Sequence, residues 1–294
     1  MKPLRLALAP LMSGADIGDN IKKLTAYVRR AAGKNADLLL LPEAFLTGYQ
    51  PSEAAVRALL AESEEIRAVI DLAGKYALTL SCGFMERSME RAEQTSGDPA
   101  LYLTQLITDG SHTQFYRKTH LGCREQAVFS EGNDLPVFTG QKAVIGTHLC
   151  WESHIPDIAS TLRGRGAELL LIPYASGLSG RTCRDVWSRH MPARSSDNGV
   201  YTAACNALSH RRMPEQNLSG CHLPDQSPAD VYRSSFIGGG CAIYDPKGRL
   251  IASYFGLKER LLICDLDPDL PRCHPDGDMG HISYFDRRRP ELYR

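Results

Sequence analysis

The sequence predicts one α/β domain in which two stacked sheets are covered by helices. Strand-like apolar runs alternate with segments of helical periodicity along most of the 294 residues. The strands are more numerous than one doubly wound sheet of this length needs, which favours two sheets over a single large one. No internal repeat or low-complexity linker divides the chain. Residues 1–294 are therefore expected to form one domain, with a long loop at about 207–236 and a tail from about 267.

The first half of the chain is expected to hold several strands and two long helices. The segment 17–32 carries apolar residues at helical spacing, and the run DLLLL at 37–41 is typical of a strand buried on both faces. An Asp-Gly pair at 109–110 marks a hairpin turn. The predicted elements are strand Leu4–Ala9, helix Ile17–Ala32, strand Asp37–Leu41, a helix from Ser52 to Lys75, strand Ala77–Phe84, a polar surface loop over 85–99, and a hairpin of Ala100–Thr108 and His112–Tyr116.

The second half repeats the alternation of strand and helix and contains a second hairpin. The turn of that hairpin is the sequence DPKG at 245–248. The predicted elements are strand Ala143–Cys150, helix Ile155–Gly164, strand Glu168–Ile172, helix Arg181–Asn198, strand Val200–Asn206, hairpin strands Gly239–Tyr244 and Arg249–Ser253, and strand Leu261–Leu266.

Charge and composition exclude several classes of protein. The chain has 34 basic and 34 acidic side chains, so it lacks the electrostatic footprint of a protein that binds nucleic acid or an anionic membrane surface. No apolar run approaches the roughly 20 residues that span a bilayer. Near the N-terminus, Arg5 and Pro10 interrupt the apolar stretch that a signal peptide would need, so a cytoplasmic protein is expected.

The nine cysteines form no recognisable disulfide or metal pattern. Their number is odd, they are widely spaced, and no CxxC pair occurs. His148, Cys150, Glu152 and His154 suggest a metal cluster by composition, but Glu152 and His154 follow the end of the predicted strand and would not share its face. No metal site is expected.

Three reactive side chains each follow a predicted strand, where α/β enzymes place catalytic groups. Glu43 follows the run at 37–41, and burial would raise its pKa toward that of a base at neutral pH. Lys118 lies in YRKTHL at 116–121 and could stabilise an oxyanion. Cys150 lies at a strand-to-helix junction, which would lower the pKa of its thiol. Taken singly, a solvated glutamate, a basic surface patch and a structural cysteine explain these residues at least as well.

The chain has three short motifs, LPExxxTGY at 41–49, YRKTHL at 116–121 and CWESHIP at 150–156. In their order and separations these motifs resemble those of the nitrilase superfamily of carbon–nitrogen hydrolases, which use a Glu–Lys–Cys triad. The tail DRRRPELY at 286–293 is similar to the family's closing DRRPxLY. The family's RAxEN pattern reads RSSDN at 194–198, which departs from it at the second and fourth positions.

The resemblance implies an α-β-β-α sandwich, with two stacked mixed sheets flanked by helices, which commonly forms homodimers or larger homo-oligomers. It implies that Cys150 attacks the carbon of an amide or nitrile and that Glu43 takes the thiol proton. Lys118 and the backbone N–H of Trp151 would bind the oxyanion. Glu125 resembles the family's second glutamate, which orients the substrate and the lysine. No metal or organic cofactor is required by this chemistry.

Further residues that contact the substrate are expected near the triad. The candidates are Tyr49, Trp151, Glu152, Tyr174 and Ala175. The segment 207–236 either folds over the pocket and helps to select the substrate, or is a surface insertion or oligomer contact.

Within the superfamily, the sequence favours an amide or N-carbamoyl amide over a nitrile as the small-molecule substrate. CWE is frequent among members that act on nitriles, but YRKTHL resembles the amidase and carbamoylase form, and the C-terminal extension common in nitrilases is missing. A nitrilase, and an acyltransferase that uses the same cysteine, are the alternatives. A non-catalytic binding protein is disfavoured because all three triad residues are present. A redox-sensing thiol protein would need Cys123 or Cys183 close to Cys150.

Overall fold

Two mixed sheets of six strands each form the centre of the computed structural model, which describes residues 1–91, 99–178, 180–208, 238–270 and 285–292. In chain order, the strands are β1 (Leu4–Leu8), β2 (Leu38–Leu40), β3 (Thr79–Arg91), β4 (Pro99–Thr108), β5 (Thr113–Arg117), β6 (Val137–Thr139), β7 (Val144–Thr147), β8 (Leu169–Tyr174), β9 (Tyr201–Asn206), β10 (Gly240–Tyr244), β11 (Leu250–Tyr254) and β12 (Leu262–Leu266). The helices are α1 (Ile17–Ala32), α2 (Ala54–Arg57), α3 (Glu64–Tyr76), α4 (Pro156–Gly164) and α5 (Gly180–Ser196). The strand order in these ranges is β12-β1-β2-β3-β4-β5 in one sheet and β11-β10-β9-β8-β7-β6 in the other.

The parallel strands of both sheets direct their following loops to one edge of the molecule. In the first sheet β1, β2 and β3 are parallel, and in the second β7, β8 and β9 are parallel. The amide of Ala175, directly after β8, donates a hydrogen bond of 2.9 Å to the carboxylate of Glu43, which follows β2. The carboxyl ends of parallel strands from the two sheets therefore meet, and this edge collects the candidate site residues.

An apolar layer fills the space between the two sheets. Because side chains alternate across a strand, every second residue of β1 and β2 points into this layer. Its buried members include Leu6, Leu8, Leu38 and Leu40 from the first sheet, and Ile145, Leu169, Leu171, Ala203 and Ile243 from the second.

The outer faces of the sheets are covered by helices. Ala7 and Leu39, which alternate with the inward leucines, pack against α1 and α3. On the second sheet, Ile172 packs against Trp187 of α5, while α4 covers Leu170. This arrangement confirms the predicted α-β-β-α sandwich. It also explains the unbroken DLLLL run, since a strand covered on both faces needs apolar side chains at every position.

Helix α1 has the bounds that its periodicity predicts. Its start is set by Asp16, whose side chain accepts a hydrogen bond of 2.8 Å from the amide of Asp19. Such a cap satisfies one of the amides that the first helical turn leaves unpaired. The buried side chains Leu24, Tyr27, Val28 and Ala31 form the face that packs on the sheet.

The prediction of one helix from Ser52 to Lys75 was wrong. The segment contains a 3₁₀ turn at Pro51–Glu53, the short helix α2, and then α3, which starts after Ser63. Between the helices, the amide of Leu59 donates to the carbonyl of Met85, and the amide of Arg87 donates to the carbonyl of Leu59. These hydrogen bonds to β3 compete with a continuous helix and interrupt it.

The prediction of a polar loop over 85–99 was also wrong for the described part of that segment. β3 continues to Arg91 and pairs with β4, with Glu86 opposite Tyr102 and Arg87 opposite Leu101. The buried carboxylate of Glu86 forms an ion pair of 2.7 Å with Arg117, so a charged residue is tolerated inside a strand. Residues 92–98 lie outside the described residues.

Strand β6 was not predicted from the sequence. Its three residues are too few to show a period, and it pairs with β7 at the edge of the second sheet. The predicted long loop lies almost wholly outside the described residues, as does the tail apart from 267–270 and 285–292. Within the described residues, every helix is too short or too polar to cross a membrane.

Candidate active site

Glu43 lies in the sharp turn that follows β2. Its side chain is 2% exposed, and the next residue, Ala44, has a φ of 51°, in the left-handed region that alanine seldom adopts. Oε1 of Glu43 accepts from Nζ of Lys118 at 2.9 Å, and Oε2 accepts from the amide of Ala175 at 2.9 Å. Gly83 of β3 allows this turn, since a Cβ there would lie 2.3 Å from the amide nitrogen of Ala44. Both carboxylate oxygens are thus oriented by hydrogen bonds.

Lys118 follows β5 and lies between two carboxylates. Its ammonium donates to Oε1 of Glu43 and to Oε1 of Glu125, each at 2.9 Å, and the side chain is 1% exposed. The main chain is held as well, because its carbonyl accepts from the amide of Gly132 at 2.7 Å. A Cβ at Gly132 would lie 2.3 Å from the carbonyl oxygen of Arg117, so glycine is required for this approach.

Glu125 extends the chain of polar groups to Tyr49. Its Oε1 accepts from the Tyr49 hydroxyl at 2.7 Å as well as from Lys118, and its Oε2 accepts from the amide of Gly122 at 2.7 Å. Buried charges are stable only where such partners exist. Tyr49, Glu125, Lys118 and Glu43 therefore form one connected network.

Cys150 begins the 3₁₀ turn Cys150–His154 after β7, with a φ of 47°. A non-glycine residue in the left-handed region costs about 1 kcal/mol and persists only where the surroundings impose it. The side chain is partly buried, and Glu43, Lys118 and Glu125 all interact with it electrostatically. The adjacent Trp151 is 53% exposed, so its ring lies at the surface.

Glu152 joins the 3₁₀ turn Cys150–His154, called the cysteine turn below, to the YRKTHL segment at 116–121, called the lysine motif. Its carboxylate is fully buried and accepts from the amides of Leu149, Thr119 and His120 at 2.6, 2.8 and 3.0 Å, and from the hydroxyl of Tyr116 at 2.7 Å. Burial opposes ionisation, but the His120 side chain, the Leu149 amide and the hydroxyls of Tyr116 and Thr119 outweigh it and lower the pKa of Glu152 to about 2. The structure thus gives this carboxylate protein partners, and its predicted contact with substrate stays a prediction.

Burial and mutual interaction shift the pKa values of the three central groups. Burial, with the nearby carboxylate of Glu125, raises the pKa of Glu43 to about 7 against the opposing effect of Lys118. Burial lowers the pKa of Lys118, but Glu43, Cys150 and Glu125 outweigh it and leave the pKa raised. Burial and the charge of Glu43 raise the pKa of the Cys150 thiol. The expectation of a lowered thiol pKa was therefore wrong, because burial and the carboxylates of Glu43 and Glu125 outweigh the opposing effects of Lys118 and the Ala175 amide.

The sequence profile of the family described as "Carbon-nitrogen hydrolase" matches residues 5–272. The chain belongs to this family.

Proteins similar to this carbon–nitrogen hydrolase include two distant relatives of nearly equal length. An N-carbamoylputrescine amidase of Arabidopsis thaliana is 27% identical over 294 residues, which cover 95% of this chain and 90% of that one. An aliphatic nitrilase of Sinorhizobium fredii is 26% identical over 303 residues and covers the same shares of the two chains. Among solved structures, an amidase from Nesterenkonia sp. superposes with a TM-score of 0.74 at 23% identity over 99% of this chain and 95% of that one. At that identity the structure supports the shared fold.

The carbon–nitrogen hydrolase brings most of the predicted site residues together. Glu43, Lys118, Glu125, Tyr49 and Ala175 are joined by hydrogen bonds. Burial raises the pKa of the Tyr174 hydroxyl, and this hydroxyl lies close enough to Cys150 and Glu43 for both to raise it further. The exposed ring of Trp151 and the carboxylate of Glu152 lie outside this hydrogen-bonded group.

Two residues of α5 that contact the cysteine turn, His190 and Arg194, were not predicted as site residues from the sequence. Ser153, within CWESHIP, lies 3.0 Å from Nε2 of His190 and accepts from the hydroxyl of Tyr174 at 2.6 Å. The sequence feature that links His190 and Arg194 is their spacing of four residues, which places them on one face of α5. This spacing does not show what that face contacts, so it could not identify the two residues as part of the site.

Proposed function

We propose that this carbon–nitrogen hydrolase cleaves a small amide or N-carbamoyl amide through a thioester on Cys150. The observation that supports this most is the buried pair of Glu43 and Lys118, 2.9 Å apart, in electrostatic contact with Cys150. A base, a fixed cation and a nucleophile held together match the needs of acyl transfer.

The first half of the reaction forms the thioester. Sγ of Cys150 attacks the carbonyl carbon while its proton passes to Glu43, and a new S–C bond forms. The oxyanion is stabilised by the ammonium of Lys118 and the backbone N–H of Trp151. Glu43 then gives the proton to the leaving nitrogen, the C–N bond breaks and ammonia departs.

The second half returns the enzyme to its starting state. Glu43 accepts a proton from water as the water oxygen attacks the thioester carbon. The C–S bond then breaks and the proton returns to the sulfur, which leaves a carboxylic acid and a free thiol. Because the pKa of Cys150 is raised, its side chain rests as a protonated thiol. This supports the transfer of its proton to Glu43 during the attack on the substrate.

Glu125 and Tyr49 take supporting roles in this proposal. Glu125 accepts from Lys118 and keeps the ammonium aimed between two carboxylates, while Tyr49 orients Glu125. Tyr174, Ala175 and Trp151 would line the substrate pocket, and Ala175 also orients Glu43. Glu152 would act by holding the cysteine turn against the lysine motif. No metal or cofactor is needed for any of these steps.

The choice of substrate rests on the sequence motif and the relatives. YRKTHL resembles the amidase and carbamoylase form, and one relative is an N-carbamoylputrescine amidase. The aliphatic nitrilase relative makes nitrile hydrolysis the second candidate, with the same cysteine and base. We also propose, on the family resemblance alone, a homodimer or larger homo-oligomer, which light scattering would test. We propose a cytoplasmic location as well, which cell fractionation would test.

Ammonia release from a panel of amides, N-carbamoyl compounds and nitriles tests the proposal. The wild type is compared with Cys150→Ala and with Cys123→Ala, which removes an exposed cysteine as a matched control. We expect release from amides or carbamoyl compounds that vanishes only in Cys150→Ala, and an acyl adduct on Cys150 by mass spectrometry after acid quench. Release mainly from nitriles would select the second candidate. Equal activity of wild type and Cys150→Ala, or no turnover at all, would overturn the proposal.

A further inference from the structure

A second chain of hydrogen bonds reaches the cysteine turn from helix α5, separate from the network of Lys118. The hydroxyl of Tyr174 donates to Oγ of Ser153 at 2.6 Å, and that Oγ lies 3.0 Å from Nε2 of His190. Ser153 is fully buried and Tyr174 is buried, while His190 is half-buried. These three groups come from the cysteine turn, the end of β8 and the middle of α5.

The chain runs in one direction. The Ser153 oxygen accepts from Tyr174 and keeps its own proton, which it donates to Nε2 of His190 when that nitrogen is unprotonated. The other ring nitrogen faces the carbonyl of Val186, one helical turn earlier. Burial, together with His154 from the cysteine turn, Arg194 from α5 and His148 from the end of β7, lowers the pKa of His190 to about 4. The imidazole is therefore neutral and accepts the bond near pH 7.

Helix α5 holds Ser153 by its main chain as well as its side chain. Nε of Arg194 donates to the carbonyl of Ser153 at 3.1 Å, and a second guanidinium nitrogen donates to the carbonyl of His154 at 3.4 Å. His190 and Arg194 are four residues apart and share one helical face. Two side chains of α5 thus hold Ser153, in the turn that begins at Cys150, through its hydroxyl and its carbonyl.

This series of hydrogen bonds ends beside the reacting groups. Tyr174 directly precedes Ala175, whose amide donates to Oε2 of Glu43 and also interacts with the sulfur of Cys150. Cys150 has a φ of 47°, a conformation that the surrounding structure must impose. Moving Ser153 or Tyr174 would therefore displace both the nucleophile and the amide that orients its base.

We propose that His190, Ser153 and Tyr174 form a positioning relay that holds the Cys150 turn and the Ala175 amide in the geometry needed for attack on the substrate. This inference rests on the proposed function, since positioning is read out through acylation of Cys150. None of the three residues exchanges a proton with the substrate. They act through the placement of Cys150 and Glu43.

The test compares Ser153→Ala, Tyr174→Phe, His190→Ala and His190→Gln with wild type. Ser188→Ala, on the exposed side of α5, and Tyr244→Phe, a buried tyrosine of the same hydrophobic cluster as Tyr174, are the matched controls. Single-turnover acylation rates, kcat, KM and Tm are measured for each. We expect the first three variants to lower the acylation rate by about 10- to 100-fold, because small misplacements of reacting atoms have effects of this size. For Ser153→Ala and His190→Ala, which do not line the pocket, KM should change by less than about twofold.

Rescue and non-additivity separate positioning from a general loss of stability. His190→Gln keeps a side-chain acceptor and is expected to retain most of the acylation rate that His190→Ala loses. The double variant of Ser153→Ala and His190→Ala is expected to be no slower than the slower single variant, since both break one chain. Unchanged acylation in Ser153→Ala and Tyr174→Phe, equal losses in the two controls, or fully additive losses would each overturn the proposal.

A measurement that needs no substrate distinguishes this inference from the proposed function. The rate at which iodoacetamide alkylates Cys150, located by peptide mass spectrometry, reports the placement of the thiol and its base. If no amide is turned over by wild type but Ser153→Ala still lowers the alkylation rate, the proposed function fails and the relay stands. If wild type is active and alkylation is equal in all variants, the relay is wrong.

Discussion

The ammonium of Lys118 lies 2.9 Å from Oε1 of Glu43, and neither side chain is more than 2% exposed. Two opposite charges at this distance inside a protein depend on each other for their ionised states. The pair is also bound to Glu125 and is in electrostatic contact with Cys150.

Removing the charge of Lys118 should abolish most of the activity and raise the pKa of Glu43. In Lys118→Gln, Glu43 and Glu125 lose their shared counter-charge, so the pKa of Glu43 should rise above 7 and the oxyanion should lose a donor. We expect kcat/KM to fall by about 10²- to 10³-fold and its pH profile to move to higher pH. Lys142→Gln, which removes a half-exposed lysine paired with Asp37, is the control and should behave as wild type. An unshifted profile would show that Lys118 does not control the base.

The pH dependence of the wild type should report Glu43. Its pKa is raised to about 7, and only the ionised carboxylate can accept the thiol proton. We expect kcat/KM to fall by about tenfold for each pH unit below about 7, while Tm over the same range shows that the enzyme remains folded. If kcat/KM instead begins to fall only near pH 4.5, the ordinary pKa of a glutamate, the assignment of Glu43 as the base would be contradicted.

Glu152 should contribute stability that depends on its charge. Its pKa is lowered from 4.5 to about 2, so its contribution is fully present above pH 4.5 and is lost as the pH falls toward 2. Glu152→Gln should lower the free energy of unfolding by about 3 kcal/mol at pH 7, because an amide N–H₂ would face backbone donors. Urea unfolding at pH 7 and pH 4 tests this, and the loss should be smaller at pH 4. A loss that does not change with pH would assign the effect to packing instead.

A single methyl group near the lysine should disturb the site. In Gly132→Ala the new Cβ would lie 2.3 Å from the carbonyl oxygen of Arg117, so the strand end that carries Lys118 must move. We expect a loss of about 1–3 kcal/mol in stability and a clear decrease in kcat/KM. Gly177→Ala, where a Cβ meets open space, is the matched control for thermal unfolding. Equal Tm values for the two variants would contradict this account of Gly132.

Local signals were sufficient for several elements. The bounds of α1 follow from its apolar periodicity and from Asp16 at its N-cap, and the hairpin of β4 and β5 follows from the Asp-Gly turn. The burial of β2 on both faces could be read from its leucines. These features depend on residues adjacent in the chain, so the sequence shows them directly.

Long-range pairing decided the elements that were predicted wrongly. The helix expected from Ser52 to Lys75 is interrupted because Leu59 bonds to β3, and the loop expected after Phe84 is a strand because β4 pairs with it. The polar character of residues 85–99 suggested a loop, but one of these polar residues, Glu86, is buried and paired with Arg117, 31 residues later. A charge that is paired only in the folded state cannot be recognised from its neighbours in the chain.

The sequence by itself determined the sandwich, the order of the three motifs, and Glu43, Lys118 and Cys150 as candidates. Only the tertiary structure decided how these groups act on one another. Glu43 and Lys118 are 75 residues apart in the chain yet share a hydrogen bond, and the thiol pKa is raised although its place before a helix predicted the reverse. The same holds for His190 and Ser153. A pKa or a hydrogen bond depends on every group within a few ångströms, and the fold collects those groups from distant parts of the chain.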